Sequence, residues 1–274
     1  MKLAKVFKEN KQFTLFSILA LVVVGVAVFA PQIAPYDPLD AVMLESLQAP
    51  SSAHPFGTDK LGRDLLSRVI FGTRTSLIMT LCLVAVIFVI GTFLGVIAGY
   101  FGGIVDGVIM RIADMMISFP GLVLAIAIAG MLGPNLVNAV ISIAAVSWTK
   151  YARLARSLVM KIRDRDYVSA AIVTGSKTPY MLFRYMLPNA LPTLIITAAT
   201  DIGSMMLELA AMSFLGFGAK PPAPEWGYML NEGRACMQSA PWLMIFPGLA
   251  IFVVVVVFNM LGDSIRDILD PRNE

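Results

Sequence analysis

The sequence predicts an all-α membrane protein with six transmembrane helices, and two observations lead to this fold class. Of the 274 residues, 58% are hydrophobic and only 14% are charged, whereas soluble domains are roughly 45–50% apolar and about 25% charged. Six stretches also approach the ~20 apolar residues that cross a bilayer core. This composition excludes disordered, collagen-like and disulfide-rich chains. The net charge of +3 gives no indication of a nucleic-acid partner, so the expected partner is the lipid bilayer.

The six predicted spans differ in how well they fit a bilayer. They are Phe13–Ala30, Leu77–Phe101, Met115–Leu132, Leu136–Trp148, Ala190–Leu215 and Trp242–Leu261. The first follows several lysines, as a signal peptide would, but its 18 residues favour a retained helix. The fourth has only 13 residues, so it must continue through Tyr151 while Lys150 reaches the headgroups. In the second, Gly91, Gly95 and Gly99 recur every four residues and predict a smooth packing face.

The distribution of basic residues predicts the orientation. With six spans, 15 of the 21 Lys and Arg residues lie on the side of the two termini. The positive-inside rule therefore places both termini in the cytoplasm, as in a multi-pass protein of the cell inner membrane. The predicted divisions are a cytoplasmic N-terminus (1–12), a first transmembrane helix (13–30), an extracytoplasmic loop (31–76), a five-helix core with a cytoplasmic loop at 165–188 (77–262), and a cytoplasmic C-terminus (263–274).

The cytoplasmic loop contains a short amphipathic pattern. Val168, Ala171 and Ile172 repeat with helical spacing, Gly175 allows a turn, and Pro188 is expected to end a second helical piece. A short helix at this position suits docking into a groove on a partner protein. It would equally suit a helix that rests on lipid headgroups.

The same loop resembles a known motif. Ala170-Ala171, then three residues, Gly175, nine residues and Tyr185-Met-Leu187-Pro188 resembles the EAA loop of ABC importer permeases, whose pattern is Glu-Ala-Ala, x3, Gly, x9, Ile-x-Leu-Pro. Ser169 stands where Glu is usual, and Tyr185 stands where Ile is usual. The resemblance implies a cytoplasmic coupling helix and assigns ATPase coupling to Ser169, Ala170, Ala171, Gly175, Leu187 and Pro188.

Further motifs extend the resemblance over most of the chain. Phe56-Gly-Thr-Asp-Lys-Leu-Gly-Arg-Asp64 is similar to the FGTDxLGRD signature of the dipeptide/oligopeptide/nickel permease family, and Glu225-Trp-Gly227 fits the same pattern. The chain is thus identified as a member of that family, of the second permease subunit type. The resemblance implies a MetI-like fold without a cofactor. It also implies a second permease subunit, two cytoplasmic ATP-binding subunits and an extracytoplasmic solute-binding protein as partners.

The chain has no ATPase or other enzymatic motif of its own. Gly175-Ser-Lys177-Thr178 superficially resembles a phosphate loop, but Ser176 separates Gly from Lys and Ala170 stands where the upstream Gly is needed. We therefore expect ATP hydrolysis in partner subunits. The only histidine, His54, allows no His-based zinc site or Ser-His-Asp arrangement, and we expect it to be a solvated loop residue.

Two acidic residues fall inside the fifth predicted span. Asp201 and Glu208 are seven residues apart and share nearly one helix face, with Ser204, Met205 and Met212 beside them. A carboxylate at the bilayer centre costs on the order of 3 kcal/mol, so such groups usually face a bundle interior or a wet cavity. One interpretation is a translocation path that favours cationic cargo. The other is an inter-helix hydrogen bond or a contact with the partner permease.

The substrate prediction follows from the same region. Ala199–Leu207 and the following Met212–Gly216 look more like nickel permeases than peptide permeases. Together with the two acids and the methionines, this favours nickel or a nickel chelate, without a metal site assigned in the chain. Di- or oligopeptides are the alternative cargo. A gradient-driven secondary transporter is less favoured, because the two halves of the chain do not resemble each other.

Overall fold

The computed structural model describes residues 10–269, and this part of the chain is mostly helical. It contains no strand, and its single isolated bridge joins Thr58 to Asp64. The predicted all-α class is therefore confirmed. The predicted cytoplasmic termini fall largely outside the described residues, including the lysines at positions 2, 5 and 8 and the arginine at 272.

Eleven α-helices are formed by residues 10–269. In chain order they are α1 (Lys11–Val28), α2 (Ala30–Ile33), α3 (Leu65–Phe101), α4 (Gly103–Ile117), α5 (Gly121–Leu132), α6 (Leu136–Arg163), α7 (Asp166–Val173), α8 (Thr178–Met181), α9 (Leu187–Phe214), α10 (Trp226–Gly233) and α11 (Trp242–Leu269). Two 3₁₀ turns, Met43–Glu45 and Arg234–Cys236, and a π turn at Leu182–Met186 complete the described secondary structure.

The chain divides into two compact units. The first unit comprises Met1–Cys82, Ile128–Ile141 and Ala199–Glu274, and the second comprises Leu83–Ala127 and Ser142–Ala198. The long helices α3, α6 and α9 each contribute to both units. The first unit contains the extracytoplasmic loop predicted from the sequence, and the second contains the predicted coupling loop.

Four or five helices satisfy the requirements of a membrane span, compared with the six predicted. In residues 10–269, the four that are long and apolar enough are α1, α3, the continuous stretch Thr178–Phe214 and α11. The bent pair α4–α5 makes a fifth if it counts as one span. The fourth predicted span lies within α6, which does not reach the same apolarity. A count of exactly six spans therefore stays a prediction.

The third predicted span is not one straight helix. Met115–Leu132 includes the end of α4 and all of α5, and the two helices meet at 92°. The break lies at Ser118–Pro120, where proline lacks a backbone donor and disfavours helix in the residue before it. A bend of this size fits either one broken span or a re-entrant loop, so the single span over this range stays a prediction.

The second predicted span begins earlier than expected. Helix α3 starts at Leu65 rather than Leu77, so the loop before it, which was predicted to be extracytoplasmic and to end at 76, ends at 64. The Asp64 carboxylate accepts a hydrogen bond from the backbone N–H of Ser67 at 2.7 Å, which is the usual contact of an N-cap residue. Several side chains in the first turns are polar, and this conceals the helix in a hydropathy profile.

The core of the first unit is built around Trp226 at the start of α10. Its side chain is 1% exposed, and its indole N–H donates to the carbonyl oxygen of Val69 at 3.0 Å. A Cβ added at Gly72 would lie 2.6 Å from the indole ring, so the glycine leaves the room that the ring occupies. A buried tryptophan stabilises a core through its large apolar surface, provided that its N–H has a hydrogen-bond acceptor. Helices α10 and α1 both pack against α11.

The second unit is held together by close packing of α3 against α6. Cβ atoms added at Gly91 and Gly95 would lie 2.4 Å and 2.3 Å from the carbonyl oxygens of Trp148 and Ala152. These distances are shorter than any ordinary contact, so the two backbones touch along this face. The glycine repeat is therefore a helix-packing face, as the sequence predicted.

Candidate functional site

The amphipathic helix predicted in the cytoplasmic loop is α7, and its end explains the glycine in the motif. Gly175 has φ +81°, and its N–H donates to the carbonyl of Ile172 at 2.9 Å. The N–H of Ser176 donates to the carbonyl of Ala171 at 3.0 Å. This is a Schellman ending, which requires a left-handed residue after the helix and so favours glycine. At the other end, Asp166 lies in the first turn, where a negative charge stabilises the helix.

Helix α7 has one buried face and one exposed face. Val168 and Ala171 are buried, whereas Ile172 is 55% exposed and Val173 is 87% exposed. Ile172 therefore does not share the buried face of Val168 and Ala171. Of the residues assigned to coupling, Ser169, Ala170, Gly175 and Pro188 are exposed, Leu187 is half-buried and Ala171 is buried. The helix presents apolar side chains outward while two others fix it to its own unit.

The segment after α7 is packed into the second unit. Its side chains Met181, Met186 and Ala190 are fully buried. The ring of Tyr185 lies 5.9 Å from the rings of both Tyr167 and Tyr180. Tyr185 replaces the usual Ile of the motif, and here it joins an aromatic cluster between α7 and the start of α9.

Pro188 does not end a helical piece, and this prediction was wrong. It lies in the first turn of α9, directly after the π turn Leu182–Met186. A π turn shifts the backbone hydrogen bonds and so accommodates a residue that lacks a donor. The Asn189 side chain donates to the carbonyl oxygen of Tyr185 at 2.6 Å. The loop therefore continues into the long helix α9 without a break.

Arginines of α6 bind to neighbouring elements within the second unit. Arg156 forms an ion pair with Asp106 of α4, and Arg153 forms another with Asp114 at 2.5 Å. Arg163 donates to the carbonyl oxygen of Gly99 at 3.3 Å, near the end of α3. A cation near the C-terminal carbonyl groups of a helix stabilises that helix. Helix α6, which leads into α7, is thus connected to α3 and α4 by polar contacts as well as by packing.

The residues predicted for a translocation path are not brought to one open surface. Asp201 is 3% exposed, Met205 and Met212 are also buried, Glu208 is half-buried and Ser204 is exposed. Nearby, a Cβ added at Gly203 would lie 2.1 Å from Asn259 Oδ1, so α9 and α11 cross closely within the first unit.

Sequence reasoning missed a buried polar network in the predicted extracytoplasmic loop. Arg63 donates to Asp59 Oδ2 at 2.6 Å and to Glu232 at 3.0 Å, and Arg68 donates to Glu232 at 2.8 Å. The two guanidinium groups therefore connect the FGTDxLGRD signature and the start of α3 to the end of α10. The pairing of Asp and Arg inside the signature was the signal that could have indicated an ion pair.

The prediction that His54 is a solvated loop residue was wrong. His54 is 6% exposed, its Nδ1 lies 2.9 Å from Asp64 Oδ1, and its Nε2 lies 3.3 Å from Glu45 Oε2. The ring of Tyr36 lies 5.0 Å away. Both ring nitrogens thus face carboxylates that bring three parts of the loop together.

Glu225 caps the opposite end of α10. Its carboxylate accepts hydrogen bonds from the N–H groups of Gly227 at 2.9 Å and Tyr228 at 2.8 Å, which is the contact expected of an N-cap. Burial raises the pKa of Glu225, and the bonds from Gly227 and Tyr228 partly offset that increase. Ser76 of α3 also lies within 3.4 Å of the carboxylate.

Comparison with known proteins assigns the family. Residues 91–274 match the family described as binding-protein-dependent transport system inner membrane component. The chain belongs to this family. Residues 2–50 also match the N-terminal transmembrane domain of oligopeptide transport permease C. The chain is therefore a permease subunit of an ABC importer, and it belongs to the second of the two permease types. ATP hydrolysis resides in separate subunits.

The relatives of this permease cover nearly its whole length. It is 43% identical over 98% of its length to the dipeptide transport system permease protein DppC of Alkalihalophilus pseudofirmus, of which 88% is covered. It is 42% identical over 92% of its length to the glutathione transport system permease protein GsiD of Pectobacterium atrosepticum, of which 84% is covered. It is 41% identical over 99% of its length to the probable D,D-dipeptide transport system permease protein DdpC of Escherichia coli, of which 91% is covered.

Solved structures share the fold of this permease. A chain of the inward-facing MetNI methionine ABC transporter matches with a TM-score of 0.59 over 74% of this permease and 97% of that chain. The two sequences are 18% identical, so the similarity concerns the fold alone. The predicted MetI-like fold is confirmed, and the gradient-driven alternative does not apply to a member of this family.

Proposed function

We propose that this permease imports small peptides, with α7 as the contact for a cytoplasmic ATP-binding subunit. The proposed substrate is supported by the identity of 42–43% to dipeptide and glutathione permeases over 92–98% of the chain. The proposed contact is supported by the exposed apolar side chains of α7, whose other side chains, Val168 and Ala171, are buried in the second unit. Both termini and α7 lie on the cytoplasmic side in this proposal, as the basic residues indicate.

The geometry of the second unit supports transmission from α7 to the spanning helices. The buried side chains of α7 and the aromatic cluster around Tyr185 connect α7 to the start of α9. On the other side, α6 is fixed to α3 by touching backbones and by the Arg163 contact. A displacement imposed on Ile172 and Val173 would therefore move several helices together, because packed interiors transmit displacement rather than absorb it.

Small peptides replace nickel as the favoured cargo. The relatives compared above are named for dipeptides and glutathione, which favours the cargo that the sequence left as the alternative. Nickel or a nickel chelate stays the second candidate because of the resemblance of Ala199–Leu207 to nickel permeases. The role of Asp201 and Glu208 in a path is part of this second proposal.

An uptake assay distinguishes the two cargoes. The permease is reconstituted into liposomes with its second permease subunit, two ATP-binding subunits and the solute-binding protein. We expect ATP-dependent accumulation of radiolabelled dialanine, competed by unlabelled tripeptides and unaffected by Ni²⁺. Liposomes without ATP are the control. Accumulation of radioactive nickel, with no peptide uptake, would contradict the peptide proposal and support the second candidate.

A further inference from the structure

Helix α4 differs from its neighbours in direction and in charge. It meets α5 at 92°, so the two helices cannot both follow the bilayer normal. Residues 121–132 of α5 include no charged side chain, whereas α4 contains Asp106, Arg111 and Asp114. A charged side chain is costly in hydrocarbon, and this favours α5 as the helix that enters the bilayer. Helix α4 is then left close to the plane of the membrane.

The ion pairs between α4 and α6 fit the same orientation. Arg153 and Arg156 are three residues apart, which is a rise of about 4.5 Å along α6. Their partners Asp114 and Asp106 are eight residues apart, which is a rise of about 12 Å along α4. Two helices that lie side by side pair residues at similar spacing, so α4 crosses α6 at a large angle. The pairs hold α4 beside the part of α6 that follows Lys150, which the sequence places at the headgroups.

The outer face of α4 forms an open apolar groove. Ile104 is 86% exposed, Val108 is 54% exposed and Ile112 is 39% exposed, and their spacing of four residues places them on one face. Gly107 leaves a notch between them, because nothing lies within 4 Å of a Cβ added there. The groove has a volume of about 430 Å³, and Arg111 completes its lining. An amphipathic helix in the membrane plane buries such a face at the boundary between headgroups and acyl chains.

Arg111 supplies a positive charge beside this groove. Its side chain is exposed, and in the part of the chain that the structure describes it forms no ion pair, whereas Asp106 and Asp114 of the same helix are both paired. The groove therefore combines an apolar surface with an unpaired cation. A phospholipid has the complementary arrangement, since its phosphate adjoins its acyl chains. Arginine suits this boundary, because its stem covers apolar surface while its guanidinium reaches the headgroups.

We propose that α4 lies in the plane of the cytoplasmic leaflet and that its groove binds an anionic phospholipid. An acyl chain lies along Ile104, Val108 and Ile112, and the phosphate binds to Arg111. Anionic lipids attract basic side chains at the cytoplasmic surface. A free phosphate would bind to Arg111 alone and leave the apolar groove uncovered, whereas a lipid accounts for both features. The lipid site rests on the cytoplasmic orientation given in the proposed function, and it is independent of the cargo.

The first measurement is the depth of α4 in the membrane. Spin labels are attached singly to Ile104→Cys, Val108→Cys and Ile112→Cys in the assembled transporter in nanodiscs, in a background of Cys82→Ala and Cys236→Ala. We expect the three labels to lie at one depth below the phosphates, because they share one face of a helix in the membrane plane. Depths that increase by about 6 Å from each label to the next would show that α4 follows the bilayer normal and would overturn the inference.

The second measurement is the choice of lipid. Nanodiscs of equal parts phosphatidylcholine and phosphatidylglycerol contain a trace of a photoactivatable analogue of one lipid or the other. We expect phosphatidylglycerol to crosslink to residues 104–112 about fivefold more than phosphatidylcholine, and Arg111→Gln to remove this preference. Lys161→Gln is the matched control, because Lys161 is an exposed base at the end of α6, and it should keep the preference.

Two further outcomes would overturn the inference. Equal crosslinking of the two lipids to the wild-type transporter would show that Arg111 does not select an anionic lipid. If no lipid crosslinks to residues 104–112, and the spin labels there become immobile only when the second permease subunit is present, the groove is a contact between subunits. Peptide uptake by the same wild-type transporter reports separately on the proposed function.

Discussion

Gly175 shows how a single backbone dihedral angle supports the proposed coupling helix. Nothing lies within 4 Å of a Cβ added at this position, so the space is open, and only the φ of +81° demands glycine. The conformation costs other residues roughly 1–2 kcal/mol, with asparagine the least affected. A substitution here would loosen the Schellman ending and so the orientation of the exposed α7 residues.

We expect Gly175→Val to reduce ATP-dependent uptake several-fold and Gly175→Asn to reduce it less, because Asn tolerates the left-handed region. Membrane insertion and assembly should be unchanged in both. Gly107→Ala is the control, since Gly107 lies in α4 with an ordinary φ and open space. Uptake in proteoliposomes is the measurement, and equal rates for Gly175→Val and wild type would refute a role for this ending.

Glu225 makes the stability of the fold depend on pH. Its folded pKa is raised by burial, so protonated Glu225 is favoured in the fold. The corresponding stabilisation is complete below the ordinary pKa of glutamate and is lost as the pH rises through the folded value. Glu225→Gln cannot ionise, although it loses one of two backbone hydrogen bonds. We therefore expect the variant to be less stable at low pH and the difference in Tm to shrink as the pH rises above the ordinary pKa of glutamate. A constant difference in Tm would contradict this.

At the scale of elements, helix α10 is fixed by polar groups at both ends. Glu225 caps its start, and Glu232 near its end binds Arg63 and Arg68, whose side chains are 3% and 1% exposed. Removing one partner of such a buried network leaves charges without compensation, which costs roughly 3–5 kcal/mol. Exposed ion pairs contribute much less, because water screens them.

We therefore expect Glu232→Gln to lower the Tm of the detergent-purified protein markedly. Arg153→Gln is the contrast variant, because the Arg153–Asp114 pair is 46% and 58% exposed, and it should shift stability by less than about 1 kcal/mol. Thermal unfolding of both variants under one condition is the measurement. Similar small shifts in the two variants would show that the Arg63–Arg68–Glu232 network does not hold α10.

The elements differ in how far the sequence predicts them. Helix α7 was predictable because its spacing, Gly175 and the motif are local in sequence. The start of α3 was not, because Arg68 looks like a loop residue until its partner Glu232, 164 positions later, is known. The burial of His54 likewise depends on Glu45 and Asp64. Tertiary pairing reverses what hydropathy suggests at these positions.

At the scale of the whole molecule, the composition was sufficient to predict a membrane protein, and the motifs were sufficient to predict its family. Asp201 shows where the prediction stops: helical spacing correctly placed it beside Met205, but whether that face lines a path depends on neighbouring helices that spacing does not reveal. The same holds for α7, whose exposed side chains were predictable as a group while their partner was not.

The contact of α7 with an ATP-binding subunit is tested most directly by photo-crosslinking in the assembled transporter. Val173→Cys, in a background of Cys82→Ala and Cys236→Ala, is labelled with a cysteine-reactive photoprobe. Val173 is 87% exposed, so labelling should leave the fold unchanged. We expect a crosslink to the ATP-binding subunit, and no such product from a probe at Val105→Cys on α4. Crosslinks from Val173→Cys to lipid alone would contradict the proposal and show that α7 rests on the headgroups.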